Sequence, residues 1–380
     1  FYFYFGTYAH PLYRDIALHP PTGFKAVLSA PELKTESTLR HAVGKRRQWW
    51  RKPALTTLKV LGYPKIVHVK RPEECAFIHA AEWLVINREP WVTDFEDPTA
   101  YTWFDHLVLQ RPWARLMIRK VLERRCCRRI LPWTEAARQS LLQSLPKGVW
   151  EEKIEVIYPC LDATRYPVVQ HSQRETVNLL FVGGAFYHKG GVDTVEAFRA
   201  LGRKYDVTLT VISDFDERAL NAYGDEDGIT LRSKVSQDEL DRAYAEADVF
   251  VMPTHYDTFG LVYLEAMARG LPCVGTTHFG VPEVVQHGKT GLIVKNHWSR
   301  FDEQFRPVGT FRERNDPLLD RLKHPPEWAV EDLVEKLATL IEDGSLRREL
   351  GRNGRKEVET GRFSVQEREK KTRRIYEEAI

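Results

Sequence analysis

No apolar run in the 380-residue sequence approaches the roughly 20 residues that span a bilayer. The opening stretch, FYFYFGTYAHPLY, lacks the basic and long apolar regions of a signal peptide and reads as a strand entering a loop. Phe1 is not a methionine, so the natural start is expected to lie upstream. Cysteine is scarce. Cys75, Cys126, Cys127, Cys160 and Cys273 include no C-x-x-C pair and no metal-ligand spacing, so reduced thiols in a cytoplasmic protein are expected. Net charge is nearly missing too, at +3 from 56 basic and 53 acidic residues, which excludes a uniformly basic nucleic-acid binder. With 43% apolar residues and 11% aromatics the chain is not disordered.

The small net charge hides a division. Residues 1–170 hold 26 Lys and Arg against 17 Asp and Glu, a net of +9, which leaves −6 for the remainder. The length suits two domains of roughly 150–200 residues. Short β-rich runs alternate with helical stretches, which predicts an α/β protein with parallel sheets covered by helices. Strands are expected at 1–5, 25–28, 66–69, 75–78, 91–95, 129–132 and 154–158. A second series is expected at 179–182, 207–212, 229–232, 249–252, 273–275 and 292–294. Helices are expected at 112–125, 135–144, 192–204, 237–246, 261–269, 281–287, 330–343 and 346–360, and from Ser364 onward. Residues 171–176 read as a linker, and 295–327 show no clear periodicity.

Three motifs carry chemistry. In LFVGGAFYHKGG (180–191), Gly183 and Gly184 turn the chain at a strand end, and Lys189 stands at the start of the next helix. Free N–H groups and the helix dipole attract phosphate there. The spacing is not that of a dinucleotide fingerprint, so a nicotinamide cofactor is disfavoured. In DVFVMPTHYDTFGLVYLEAMARG (248–270), a buried strand leads to a loop with His255 and Asp257, then to a helix opening at Phe259, Gly260 and Leu261. Asp257 and Glu265 can each accept hydrogen bonds from vicinal sugar hydroxyls, or serve only as a cap and a solvated helix residue. The third, GTTHFGVPEVVQHGKTGLIV (275–294), follows another strand end. All three loops are expected on the carboxyl rim of one sheet, where such folds bind ligands.

In order and interval these motifs resemble the donor domain of family 4 of the retaining glycosyltransferases, the glycosyl transferases group 1. That family is marked by V-G-R followed by K-G, by an acidic pair with seven residues between around F-G, and by G-G-x-P-E. The resemblance implies a GT-B fold: two Rossmann-like domains facing across a cleft, at 1–170 (acceptor) and 171–362 (donor), with a C-terminal helix at 363–380 packing back on the first. It implies a nucleotide-sugar donor such as a UDP- or GDP-sugar, no cofactor and no metal. Lys189 would contact the donor diphosphate, Glu265 the ribose, Asp257 the transferred sugar, and the Phe259–Leu261 amides a phosphate. Pro282 and Glu283 would lie near the sugar. Three positions depart from the pattern: Gly184 replaces the phosphate arginine, Asp257 the commoner glutamate, and Phe279 a glycine. Arg232 is the candidate replacement cation.

In the first half, Gly6-Thr-Tyr-Ala-His-Pro stands where the family places a glycine-rich loop. Glu96 and Asp97 follow the strand at 91–95, where the family places a histidine; they can position an acceptor hydroxyl, act on its proton, or cap the next helix. Two basic stretches account for the +9. From Arg40 to Lys52 there are six Lys or Arg, no acid and two adjacent tryptophans. From Arg111 to Arg129 there are eight against Glu123 alone, interleaved with Trp113, Leu116, Met117, Ile118 and Val121. Basic residues with Trp and Leu suit an anionic membrane surface, or simply a solvated helix face over a core. Nucleic acid is disfavoured because no recognised binding module accompanies the charge. The expected activity is retaining transfer of a sugar to an acceptor hydroxyl, lipid-linked or anionic, by a cytoplasmic protein on the inner face of the membrane. A non-catalytic nucleotide-sugar binder and a phosphorylase-like or epimerase-like enzyme of the same fold stay open.

Overall fold

The computed structural model describes residues 1–5, 13, 20–29, 57–169, 176–224, 226–309 and 317–380. The stretch from Arg40 to Lys52, the loop beginning at Gly6 and most of the 171–176 linker lie outside them. The chain forms two units. One comprises Phe1–Pro159, Phe301–Thr310 and Gln366–Ile380; the other comprises Cys160–Arg300 and Phe311–Val365.

The first unit holds strands β1 (Tyr2–Tyr4), β2 (Val27–Leu28), β3 (Ile66–Val67), β4 (Ile78–Ala81), β5 (Leu84–Val85), β6 (Trp91–Phe95) and β7 (Cys127–Pro132). Its main sheet runs β2-β1-β4-β6-β7, all parallel, and β3 pairs with β5 separately. Every residue of β4 and β6 is buried, as expected of strands covered on both faces. Helices α1 (His106–Gln110), α2 (Pro112–Leu122) and α3 (Glu135–Ser144) follow. The core gathers Phe1, Phe3, Phe77 and Trp133 against Ile375 and Tyr376 of the C-terminal helix. Tyr376 Oη and His79 Nδ1 lie 2.6 Å apart, and His79 Nε2 lies 3.3 Å from Asp94 Oδ1.

The second unit holds β8 (Val177–Val182), α4 (Gly191–Leu201), β9 (Val207–Ile212), α5 (Glu217–Tyr223), β10 (Ile229–Arg232), α6 (Gln237–Glu246), β11 (Val249–Val251), α7 (Leu261–Ala268), β12 (Cys273–Thr276), α8 (Val281–Val284) and β13 (Gly291–Val294). The sheet order β10-β9-β8-β11-β12-β13, all parallel, is the 3-2-1-4-5-6 order of a Rossmann sheet. It reverses between β8 and β11, so the loops after those two strands border the crevice where such sheets bind ligands. Helices α9 (Pro317–Leu322), α10 (Glu327–Glu342), α11 (Gly344–Glu359) and α12 (Val365–Ala379) complete the chain.

Several expected elements differ. Residues 154–158 are not a strand: one bridge joins Ile154 to Ile130, and the Glu155 and Ile157 N–H groups donate to the Ile130 and Pro132 carbonyls at 2.9 and 3.0 Å. A short 3-10 turn (Val149–Lys153) leads straight into it and Pro159 follows, leaving little length to pair. Helix α8 stops at Val284 instead of reaching His287, because the Gln286 N–H is taken by Thr290 Oγ1 at 2.9 Å and Gly288 turns with φ 72°. Helices α1, α5 and α9 are absent from the sequence-based reading; each is under eight residues, too short to show a periodicity.

Candidate functional site

The three chemical motifs follow β8, β11 and β12, which are neighbours in the sheet. After β8 the chain turns through Gly183 and Gly184 to Gly190, the residue before α4. Gly190 has φ 80°, and a Cβ there would stand 2.2 Å from the Pro253 carbonyl oxygen, so only glycine lets this loop close on the next. The His255 N–H donates to the His188 carbonyl at 2.9 Å, tying the two loops together. Thr254 Oγ1 accepts from the N–H groups of Tyr256 and Asp257, both at 3.2 Å, and this bend sets the Asp257 side chain. Thr276 Oγ1 donates to the Thr254 carbonyl at 2.7 Å, which adds the third loop.

Lys189 and Asp257 meet as an ion pair between Nζ and Oδ1, each side chain less than a fifth exposed. Asp257 Oδ2 is buried and has no hydrogen-bond partner. A half-satisfied carboxylate beside an ammonium, at the sheet reversal, is poised to take a donor group and release the cation to an anion. Gly260 opens α7 with φ 82° and no side-chain cap, so the first N–H groups of that helix, from Phe259, Gly260 and Leu261 onward, have no intrahelical acceptor. Phe259 itself is buried, its ring 5.9 Å from that of Phe363.

Glu265 lies one turn into α7. Tyr244 Oη donates to its Oε2 at 3.3 Å, and the fully buried Arg269 donates from Nη1 to its carbonyl at 3.1 Å. Arg269 is itself held by Asp241 and sandwiched by the rings of Tyr244 and Tyr166 at 4.2 and 4.5 Å. Burial pushes the Glu265 carboxyl above the usual range, against the opposing pull of Arg269 and the Tyr244 hydroxyl. Pro282 is exposed and Glu283 half-buried at α8. Phe279, at the position of the missing glycine, is buried with φ 43°, a left-handed conformation that glycine adopts without strain.

Arg232 is exposed at the end of β10, the edge strand, two strands or about 10 Å from β8. The structure does not bring it onto the Lys189–Asp257 pair. Glu96 belongs to the first unit, half-buried at the end of β6. The capping role falls to Asp97, whose Oδ1 accepts from the Thr99 N–H at 2.8 Å and its hydroxyl at 2.5 Å. Glu96 acts electrostatically on Tyr13 and Lys65 instead.

The fold also assembles groups that the sequence pattern does not pair. Asp193, in the first turn of α4, bonds both His255 and His297. Lys65 and Glu82 form a buried pair in the first unit, with Lys65 facing the rings of Trp83, Trp103 and Phe104. The five cysteines are free thiols, and burial pushes Cys127 up to about 12. Among the described residues no helix is long and apolar enough to cross a membrane. Helix α2 buries Ala114, Ile118, Val121 and Leu122 while Trp113 and Leu116 stay exposed. Leu61, Tyr63 and Leu107 are exposed too; the Tyr63 and Trp113 rings are 5.1 Å apart, and Arg111 donates to the Leu61 carbonyl at 3.1 Å.

Comparison with known proteins agrees with the motifs. Residues 176–305 match the family model for glycosyl transferases group 1. Sulfoquinovosyl transferase SQD2 of Arabidopsis thaliana is 38% identical over 125 residues, 32% of this chain and 18% of that protein. The D-inositol 3-phosphate glycosyltransferase of Pseudarthrobacter chlorophenolicus is 34% identical over 168 residues, 40% of each chain. The chain thus spans less than half the length of these curated relatives. HepE of Anabaena, solved in complex with UDP-glucose, shares the fold with a TM-score of 0.65 over 99% of both chains at 15% identity. Over residues 176–305 the chain is similar to the glycosyl transferases group 1, and its two units share the GT-B fold of the solved structures.

Proposed function

We propose that the protein is a glycosyltransferase that moves a sugar from a nucleotide-sugar to an acceptor hydroxyl. The carrying observation is the Lys189–Asp257 pair at the reversal of a Rossmann sheet, with the uncapped start of α7 beside it. On donor binding Lys189 turns to the diphosphate and the α7 amides add hydrogen bonds, stabilising the charge that grows on the leaving phosphate. Asp257 then holds the sugar hydroxyls, and Glu265 the ribose. In this reading both site carboxylates are committed in the donor complex, Asp257 to the sugar hydroxyls and Glu265 to the ribose, so neither serves as a covalent nucleophile. The proposed course is therefore same-face substitution with retention, the leaving phosphate taking the acceptor proton and no metal entering the transfer step. Glu96 and the basic first unit serve the acceptor, an anionic or lipid-linked glycan. The exposed Trp113, Leu116 and Leu61 beside Arg111 support contact with an anionic membrane surface.

A UDP-sugar is the first donor to test, because HepE was solved with UDP-glucose. Nucleotide release with a panel of UDP- and GDP-sugars, and the anomeric configuration of the product by NMR, check the reaction. Tight donor binding without release of nucleotide under any acceptor would overturn the transferase reading in favour of a binding protein. For the surface, Trp113→Ser with Leu116→Ser should abolish co-sedimentation with anionic vesicles; retention identical to the unaltered protein counts against it.

A further inference from the structure

Asp193, His255 and His297 form a group that the transfer chemistry leaves unused. They come from three segments: the first turn of α4, the loop after β11 and the stretch after β13. Asp193 Oδ2 is 3.1 Å from His255 Nε2, and its Oδ1 is 2.9 Å from His297 Nε2. All three donor atoms lie within 4.8 Å of one another, and the side chains are only 4%, 1% and 6% exposed. The two imidazole rings are 4.2 Å apart and inclined by 64°, so their edges converge on the carboxylate.

On the far side of His255, Nδ1 lies 2.5 Å from Asn296 Oδ1. Asn296 Nδ2 faces His278 Nδ1 at 3.2 Å, and its Oδ1 also accepts from the Trp298 N–H at 3.4 Å. With the hydrogen of His255 on Nδ1, donated to Asn296 Oδ1, Nε2 presents its lone pair beside a carboxylate oxygen, an arrangement that a bound cation would satisfy.

We propose that Asp193, His255 and His297 bind a divalent metal ion of the zinc class. Two imidazole nitrogens and a carboxylate are zinc ligands, and a tetrahedral ion at about 2.0–2.2 Å from each sets neighbouring donors roughly 3.3 Å apart. The N···O separations of 3.1 and 2.9 Å are near that value, each to a different oxygen of Asp193, so the carboxylate would hold the ion through one oxygen or both. Asn296 supplies the outer hydrogen bond that fixes a ligating imidazole. Magnesium and calcium, which take oxygen ligands, do not fit a site with two nitrogens. The ion would pin α4 to the loop after β11. Lys189 lies four residues before Asp193 and Asp257 two after His255, so it would hold both ends of the ion pair in place. This is a positioning role, and it does not depend on the transferase reading.

The full chain, stripped with a chelator and then dialysed against zinc or cobalt(II), tests this without any activity measurement. One ion per chain by elemental analysis, a tetrahedral cobalt absorption and a melting temperature raised by zinc are expected. His297→Ala should lose the ion and the zinc-induced shift, whereas His324→Ala, an exposed histidine outside the group, should keep both. No ion above the dialysis background, an octahedral cobalt spectrum, or undiminished binding in the His297 variant would each overturn the site. The cobalt spectrum of the unaltered protein decides the matter even if the variant fails to fold.

Discussion

Lys189 Nζ and Asp257 Oδ1 are bonded to each other across the two loops that border the sheet reversal. In the proposed donor complex a diphosphate would compete with Asp257 for one ammonium. Removing the competitor should favour the nucleotide alone: Asp257→Asn is expected to bind UDP at least about tenfold more tightly, since a charge-assisted bond is worth about 1.5–3 kcal/mol. The same variant should lose sugar transfer, because the sugar loses its carboxylate. Lys189→Ala should lower kcat by about 10²–10³, the usual cost of removing one donor at a developing oxyanion. Isothermal titration with UDP and steady-state kinetics read both. Equal weakening of UDP binding in the two variants would show that the pair acts as one unit.

Gly184 stands where the family pattern has an arginine, and the structure leaves room for one. A Cβ at 184 meets only Asp214 Oδ2, at 3.6 Å, an ordinary contact, and the residue is exposed. Gly184→Arg should fold normally and tighten UDP binding about 5–10-fold, or roughly 1–1.4 kcal/mol. Part of the new charge is spent on Asp214, so Gly184→Arg with Asp214→Asn should bind more tightly still. No gain in either variant would mean that the diphosphate does not pass over Gly184.

The positions of these residues were largely legible because each motif couples local rules: an apolar run for the strand, glycine for the turn, then an amphipathic helix. Strands β8 to β13 all fall within a few residues of expectation, since a sheet buried on both faces writes itself as continuous apolar runs. Asp193 with His297 was not legible. They are 104 residues apart, and His297 sits in a stretch with no periodicity, so only the fold brings them together. The Glu96–Asp97 ambiguity was of another kind. Either acid satisfied the sequence rule for a cap, and only the turn at Pro98–Thr102 assigns it to Asp97.

Glu265 carries a pH dependence whose sign follows from burial. Its folded carboxyl is pushed up, so the ionised form is the one the fold disfavours. At low pH, where both folded and unfolded states are protonated, Glu265→Gln should match the unaltered protein in stability. As pH rises through the raised folded value the unaltered protein loses ground, and the variant should become the more stable by thermal melting. Donor affinity moves the other way. In the proposed donor complex the ribose hydroxyls would donate to the carboxylate, so binding should weaken on acidification beginning above the ordinary glutamate value of about 4.3, and this dependence should vanish in the variant. A UDP affinity flat from pH 5 to 8 in the unaltered protein would remove Glu265 from the ribose.

Lys65 is 7% exposed, with Nζ 3.5 Å from Glu82 Oε2 and 5.2, 5.9 and 5.6 Å from the ring centres of Trp83, Trp103 and Phe104. Glu82, Trp103 and Phe104 all hold left-handed backbones, at φ 60°, 60° and 61°, so the cage is built at a conformational cost. Burial lowers the Lys65 pKa and raises that of Glu82, each opposed by the partner's charge. Glu82→Gln leaves a desolvated ammonium with rings alone and should cost about 3–5 kcal/mol in urea unfolding. Lys65→Met combined with Glu82→Gln removes the buried charge and should recover most of that loss. A cost below about 1 kcal/mol for the single variant would mean that the cation–π contacts suffice without the carboxylate. Because Glu96 also acts on Lys65, the recovered double variant provides a folded background in which an effect of Glu96 on acceptor use can be read without a change in the buried pair.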